Sequence, residues 1–321
     1  MALRDDVLLE LVSRRGEYIS GAALAERLHV SRTAVWKVIE NLKAEGAEII
    51  SVSNRGYMLN EMPDVFCAPY MDTLTAGCRI PWKVQWFPEI GSTNDEAKLQ
   101  AAQGAPEGMV IIADTQTGGK GRLGKHFHSP RGSLYMSAVL RPQLPLSDMM
   151  AVTACTAAAV HEALAKYGIT AKIKWVNDLF LNGRKICGIL SEGSFNAELL
   201  TMDYLVIGIG INLRPGPNLP DELKPIITDL LTETGQSIPR FALAASILRE
   251  LEEFMAHIQE RTFLPVYTEH SMTIGRRVEV QGKDGVFTGI AVGYERDAGL
   301  IVAHDDGTQE TIRTGSAVFV E

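Results

Sequence analysis

Lys174-Trp175-Val176-Asn177-Asp178-Leu179-Phe180-Leu181-Asn182-Gly183-Arg184-Lys185-Ile186-Cys187-Gly188-Ile189-Leu190 is the stretch that decides the fold class. Two short apolar runs flank Asn182-Gly183, and Asn-Gly tolerates the positive φ angles of a type I′ hairpin turn. The spacing predicts antiparallel strands at 178–181 and 185–192. Further strands are expected at 83–87, 109–114, 133–140, 171–175 and 204–212, with helices at 93–103, 148–167 and 240–261. Hairpins mixed with helical connections indicate an α+β domain on a mixed or mostly antiparallel sheet, not a doubly wound one.

Upstream, the apolar period changes from 2 to 3.6. Val7, Leu8, Leu11 and Val12 mark a helix over 4–14 that ends at Gly16. Ser20 is a suitable N-cap for a second helix reaching Leu28, and Ser31 for a third over 32–45. In the third helix Val35, Val38, Ile39 and Leu42 form one buried stripe. Residues 47–52 and 57–59, joined through Ser53-Asn54-Arg55-Gly56, read as a two-stranded wing. This is the pattern of a winged helix-turn-helix. Arg32, Thr33, Trp36 and Lys37 would face a major groove, and Arg55 a phosphate or the minor groove. A small helical interaction domain with a solvated polar face has the same pattern. Pro63 and Pro69 mark residues 60–69 as a linker. At the other end, short strands at 277–280, 286–294, 300–304 and 310–312 fit only a small barrel. The expected division is 1–62, 63–270 and 271–321.

Composition constrains the partners. The chain has 321 residues, 46% hydrophobic and 22% charged, with a net charge of −8. Residues 1–62 hold 8 Lys+Arg against 9 Asp+Glu, so any DNA contact must come from a local cationic face. No apolar run approaches the ~18 residues of a membrane span, and the N-terminus lacks a signal-peptide core, so a cytoplasmic protein is expected. Cys67, Cys78, Cys155 and Cys187 are scattered without metal-ligand spacing and are expected as reduced thiols.

Gln116-Thr117-Gly118-Gly119-Lys120-Gly121-Arg122-Leu123-Gly124-Lys125 is the sharpest chemical feature. Its glycines allow backbone N–H groups to approach an anion, and Lys120, Arg122 and Lys125 supply charge. The loop is expected to gain its order from an anionic ligand; a flexible surface loop is the plainer reading. It does not follow the P-loop pattern. Asn177 and Asp178 at a strand end suit Mg²⁺ and phosphate, or a simple turn. Lys185, opening an apolar strand, would neutralise an α-phosphate or carboxylate, or guard a sheet edge. Ser92, Thr93 and Asn94 are placed either to cap a helix or to bind an amide-like group. Gly208-Ile209-Gly210-Ile211-Asn212 ends a strand where small residues let a ligand approach; Asn212 would reach a nucleotide.

Taken in order, these five motifs, with the N-terminal winged helix, resemble the bifunctional biotin–protein ligase and biotin operon repressor family over nearly the whole chain. The resemblance implies a central biotin-ligase domain and a C-terminal SH3-like β-barrel. It implies that biotin and Mg·ATP form biotinyl-5′-adenylate, and that a lysine of a biotin carboxyl carrier protein then takes the biotin. Ser92, Thr93, Asn94 and Gln116 would contact the biotin heterocycle. Lys120, Gly121 and Arg122 would cover the carboxylate and phosphate, Lys185 would meet the developing charge, and Asn177, Asp178 and Asn212 would serve the nucleotide and metal. No covalent enzyme intermediate is required. The adenylate would act as corepressor, favouring a homodimer on a palindromic operator DNA. A repressor without ligase activity and a lipoate–protein ligase share much of this architecture. Two positions depart from the family pattern. Lys120 replaces an arginine, keeping the charge but losing the bidentate fork, and Val176 replaces a proline that fixes φ before Asn177-Asp178.

Overall fold

The computed structural model describes residues 3–61, 64–145, 148–196, 201–216, 219–282 and 285–320. The chain divides into two compact units: Met1–Gly77 with Pro239–Ala245, and Cys78–Ile238 with Ser246–Glu321.

The first unit contains helices α1 (Leu3–Ser13), α2 (Gly21–Arg27) and α3 (Arg32–Ala44), the wing strands β1 (Ile49–Val52) and β2 (Gly56–Leu59), and α4 (Ala68–Leu74). Both expected caps are present: Ser20 Oγ accepts from the Ala23 amide at 3.0 Å, and Ser31 Oγ from the Ala34 amide at 3.1 Å. Val35, Ile39 and Leu42 are fully buried against Val7, Leu8, Leu11, Leu24 and Leu59, while Val38 is half-buried beside them. Tyr57 and Ile19 exchange backbone hydrogen bonds at 2.9 Å, which fixes the wing against the segment entering α2. Gly56 makes this approach possible, because a Cβ there would lie 2.1 Å from the Ile19 carbonyl oxygen. The expected linker is corrected in its second half. Pro69 stands in the first turn of α4, where its missing N–H has no helical partner to lose, and Cys67 and Tyr70 are buried in this unit's core. The expected boundary at residues 62 and 63 lies outside the described residues.

The second unit is organised on a seven-stranded sheet. Its elements are β3 (Lys83–Phe87), α5 (Thr93–Ala102), β4 (Met109–Ala113), β5 (Leu134–Leu140), α6 (Met149–Ala165), β6 (Lys172–Lys174), β7 (Asp178–Leu181), β8 (Arg184–Asn196) and β9 (Thr201–Ile211). Then follow α7 (Leu230–Thr234), α8 (Arg240–Ala256), whose residues up to Ala245 are counted with the first unit, and α9 (Phe263–Glu269). The strand order is β3-β4-β5-β9-β8-β7-β6; β3 and β4 run parallel and every other pair is antiparallel. Asn182 and Gly183 have φ of 49° and 81°, the positive pair a type I′ turn needs. The long C-terminal helix expected over 240–261 stops at Ala256, and α9 is a separate helix after Arg261, whose φ is 64°.

A second, five-stranded antiparallel sheet completes this unit, with strands β10 (Arg277–Gly282), β11 (Gly285–Tyr294), β12 (Leu300–Ala303), β13 (Gln309–Ile312) and β14 (Ser316–Phe319) in the order β13-β12-β11-β10-β14. Strand β14 has no counterpart among the expected strands. Val278, Val280, Ala291, Leu300 and Val302 form its buried face, and Trp175 and Val176 are packed into the same cluster. Trp175 is fixed there: its indole N–H donates to the Ala298 carbonyl at 3.0 Å, and its amide to Thr273 Oγ1 at 3.0 Å.

Candidate active site

Three glycines in neighbouring strands hollow the central sheet. A Cβ at Gly208 would lie 2.0 Å from Asn94 Oδ1, at Gly210 2.5 Å from the Phe127 ring, and at Gly188 2.9 Å from the same ring. Gly188 and Gly210 face each other across the β8–β9 ladder, so one depression receives both Asn94 and Phe127. The result is a cleft in the face of the sheet. Ser92, Thr93, Asn94, Gln116, Lys120, Gly121, Arg122, Asn177 and Lys185 all line it.

One end of the cleft is a neutral hydrogen-bonding array. Ser92 caps α5, accepting from the Asp95 amide at 3.3 Å. Gln116 Oε1 accepts from the Thr93 amide and hydroxyl at 2.8 and 3.0 Å, and Gln116 Nε2 donates to Ser129 Oγ at 2.9 Å. Ser137 Oγ lies 2.8 Å from Thr93 Oγ1 and donates to Asn94 Oδ1 at 2.6 Å. Asn94 Nδ2 donates to the Glu192 carboxylate at 2.8 Å. Each polar group is therefore oriented by another, which suits recognition of a small ring that presents both donors and acceptors.

The other end is cationic. The glycine-rich loop has anchors of its own, contrary to the expectation that only a ligand would order it. Gly118 N donates to the Gly91 carbonyl at 2.7 Å, Gly121 N to Lys125 O at 2.7 Å and Phe127 N to Gly119 O at 2.9 Å. Lys120 pairs with Asp95 at 2.7 Å, and Arg122 donates to Asn177 Oδ1 at 3.1 Å. Burial lowers the pKa of Arg122, against the opposing pull of Asp178 and Tyr267. Lys185 pairs with Asp178 at 2.7 Å, and its backbone is held between Ile226 and Thr228. The peptide bond between Trp175 and Val176 is cis. Asn177 is fixed at both ends of its amide, since Nδ2 also donates to the Ile189 carbonyl at 2.8 Å, even with Val176 in place of the family's proline.

Asp178 does not line the cleft; it pairs with Lys185, which does. Asn212 is not in this cleft. Its amide donates to the Thr228 carbonyl at 3.0 Å, and it lines a neighbouring depression with His128, Arg214 and Asp229. Phe127, Ser137 and Lys174 were not among the expected site residues. Ser137 had a signal, as the polar residue inside the otherwise apolar, fully buried run of β5. Lys174 is half-buried, 4.8 Å from the Phe319 ring centre and 5.7 Å from that of Phe180. Burial lowers its pKa; Asp178 opposes this, and Lys185 and Lys125 reinforce it.

The other expected surface belongs to the first unit. Arg32, Thr33, Trp36 and Lys37 are all exposed on α3, with Trp36 at 53%. Arg55 is exposed on the wing turn and stacks 4.5 Å over the Tyr18 ring. The four cysteines are unpaired, and burial raises the thiol pKa of Cys67 to about 11 and of Cys155 and Cys187 further. Among the described residues no helix is long and apolar enough to cross a membrane, and no cluster of three or more His, Cys, Asp or Glu side chains is arranged to hold a metal ion.

Comparison with known proteins agrees with this geometry. Residues 86–212 match the biotin/lipoate A/B protein ligase family, residues 4–58 an HTH domain, and residues 273–320 the biotin protein ligase C terminal domain. The chain is 35% identical over 318 residues to the bifunctional ligase/repressor BirA of Bacillus subtilis, covering 96% of each protein. It is 29% identical over 296 residues to the protein of the same description from Escherichia coli K12, covering 90% of this chain and 89% of the relative. Among solved structures, the biotin protein ligase from Aquifex aeolicus in complex with biotin and ATP superposes with a TM-score of 0.62 at 28% identity, over 74% of this chain and 98% of that one.

Proposed function

This chain belongs to the bifunctional biotin ligase/repressor family, and from that premise we propose how its cleft and its helix-turn-helix are used. The protein joins biotin to ATP as biotinyl-5′-adenylate, transfers the biotin to a lysine of a carboxyl carrier protein, and represses transcription with the adenylate as corepressor. The observation that carries this reading is the polarity of one cleft: interlocked neutral dipoles at Thr93, Asn94 and Gln116, and cations at Lys120, Arg122 and Lys185. The ureido ring of biotin suits the first end, and its carboxylate the second.

Adenylation brings a carboxylate against an α-phosphate, two anions that repel in a low-dielectric cleft. Lys185 and Arg122 offset that repulsion, and their charge acts on the group that gains charge as the reaction proceeds. Lys120 and the Gly121 backbone cover the mixed anhydride and keep water from it. In the second step the carrier amine attacks the anhydride carbonyl carbon, and AMP leaves with the bonding electron pair. Asn177 and Asp178 would hold ATP-borne Mg²⁺. A carboxylate and an amide are the ligand types this ion takes beside phosphate, and here the Asp178 carboxylate is paired with Lys185 and Asn177 Oδ1 accepts from Arg122. Bound there, the ion neutralises phosphate charge. Asn212 serves the nucleotide from the neighbouring depression.

The helix-turn-helix and wing within residues 1–62 bind DNA, the central sheet within 63–270 carries the ligase site and 271–321 form the C-terminal domain; α4 packs with the first unit, so the compact DNA-binding unit reaches Gly77. Arg32, Thr33, Trp36, Lys37 and Arg55 contact the operator, and adenylate-driven dimerisation supplies the affinity that a near-neutral monomer lacks. The test is incubation with ATP, biotin and a carrier domain, followed by mass measurement of the carrier. A biotinylated lysine is expected. An unmodified carrier, with biotin still bound by the protein, would leave a ligand-sensing repressor in place of a ligase.

A further inference from the structure

We propose that Glu192, held by Lys98, is a specificity-determining residue: it fixes the Asn94 amide so that a ligand meets an oxygen there and is selected for an N–H donor. The proposal rests on the ligase reading above and deepens it, since a ureido ring carries such donors.

Asn94 and Lys98 are four residues apart on α5, so their side chains lie on one side of the helix. Glu192 enters from β8 and joins them. One of its carboxylate oxygens accepts from Asn94 Nδ2 at 2.8 Å, and the other from Lys98 Nζ at 2.7 Å. Lys98 also pairs with Asp95 at 3.2 Å. Burial works against the Lys98 charge, and its hydrogen bonds to Glu192 and Asp95 outweigh burial and raise its pKa. Neither Glu192 nor Lys98 is among the described residues that line the cleft, so both act through Asn94, which does.

The chemistry of these partners decides which way Asn94 points. The two ends of a side-chain amide have nearly the same shape and differ in donating or accepting. A carboxylate and a backbone carbonyl accept only. Asn94 meets one of each at the same end: Glu192 at 2.8 Å and the Leu190 carbonyl at 3.2 Å. That end is therefore the NH₂, and both of its hydrogens are used. The oxygen is at the other end, where Ser137 Oγ donates to it at 2.6 Å. It occupies the space over Gly208, where a Cβ would lie 2.0 Å from it. A carbonyl oxygen has two lone pairs, and Ser137 uses one. The second is left for a ligand. A ring N–H satisfies it, whereas a ring oxygen in the same place sets two acceptors against each other beside a buried amide.

Lys98 makes the charge of Glu192 matter. A carboxylate offers an acceptor to both of its partners; a glutamine offers one. The glutamine oxygen would go to Lys98, which only donates, and the glutamine NH₂ would face Asn94. The Asn94 amide would then turn over, with its oxygen toward the glutamine and its NH₂ toward the cleft. A nearly isosteric substitution thereby changes the selectivity of a residue it does not replace.

The experiment measures calorimetric affinities of the full chain for biotin and for the two analogues in which a ring oxygen replaces one or the other ureido N–H. Melting temperature reports folding. The wild-type protein should prefer biotin to at least one analogue by about ten- to hundredfold. Glu192→Gln should reduce that preference to within about threefold. Adding Lys98→Met to Glu192→Gln frees the glutamine to turn its oxygen to Asn94, and most of the preference should return. Lys98→Met alone should keep it, because the carboxylate still only accepts. A folded Glu192→Gln protein with the wild-type preference would overturn the proposal. A loss that the double substitution leaves unrecovered would also overturn it, because a residue that merely staples α5 to β8 predicts no recovery. Equal wild-type affinity for biotin and both analogues would do the same. A wild-type protein that binds none of the three would instead overturn the ligase reading on which this rests.

Discussion

In α3 the buried and the exposed halves of one helix divide the work. Val35, Ile39 and Leu42 hold the unit together while Arg32, Thr33, Trp36 and Lys37 stand in solvent, so binding residues are added without taking anything from the core. The cleft of the central sheet is made the other way. Gly188, Gly208 and Gly210 remove side chains from buried strands, and Asn94 and Phe127 occupy the space. The comparison teaches that recognition by a helix face is separable from stability, whereas recognition by a hollowed sheet is not. A surface substitution should act on one measurement; a cleft substitution should act on several.

The largest effect is expected at Lys185. Lys185→Ala removes a cation next to the reacting groups and leaves Asp178 unpaired, so adenylate formation should fall by about 10²–10³-fold. A wild-type rate in that variant would remove the role assigned to Lys185. Next, Ile39→Ala empties a fully buried position and should destabilise the first unit by about 2–4 kcal/mol, read by chemical denaturation. Biotin-dependent adenylation should persist in it, and joint loss would break the proposed separation. Gly208→Ala sets a methyl group against Asn94 and should weaken biotin binding by about tenfold while also lowering the melting temperature. A change in only one of these would contradict the coupled character of the cleft. The smallest effect is expected at Lys37. Lys37→Ala should weaken operator binding to every sequence alike, reduce the slope of log affinity against log salt by about 0.9 and leave the melting temperature unchanged.

The same contrast governs what was legible in the sequence. Ser20, Ser31 and the Val35–Leu42 stripe are local signals, and local geometry realises them. Asn182-Gly183 sets the first two pairs of β7 and β8, Leu181 with Arg184 and Phe180 with Lys185, because a type I′ turn leaves little choice; an irregularity between Leu179 and Phe180 then shifts the register, which no local signal states. Nine of the cleft's polar and loop residues were marked by their motifs. What escaped depends on contacts far apart in the chain. Phe127 belongs to the cleft only because Gly188 and Gly210 face each other in a ladder, which no single motif states. Asn212 follows the last cleft glycine by two residues, yet its amide turns to the Thr228 carbonyl and lines a different depression. Pro69 read as a linker mark because proline ends helices as readily as it opens them. The order of the glycine-rich loop was underestimated, since Asp95 and Asn177, the partners of Lys120 and Arg122, lie outside it.

The central claim is that one cleft joins biotin to ATP, and it is tested most directly by exchange of labelled pyrophosphate into ATP with and without biotin. Exchange should appear with biotin present and vanish without it. Absence of exchange in a protein that still binds biotin would contradict the account.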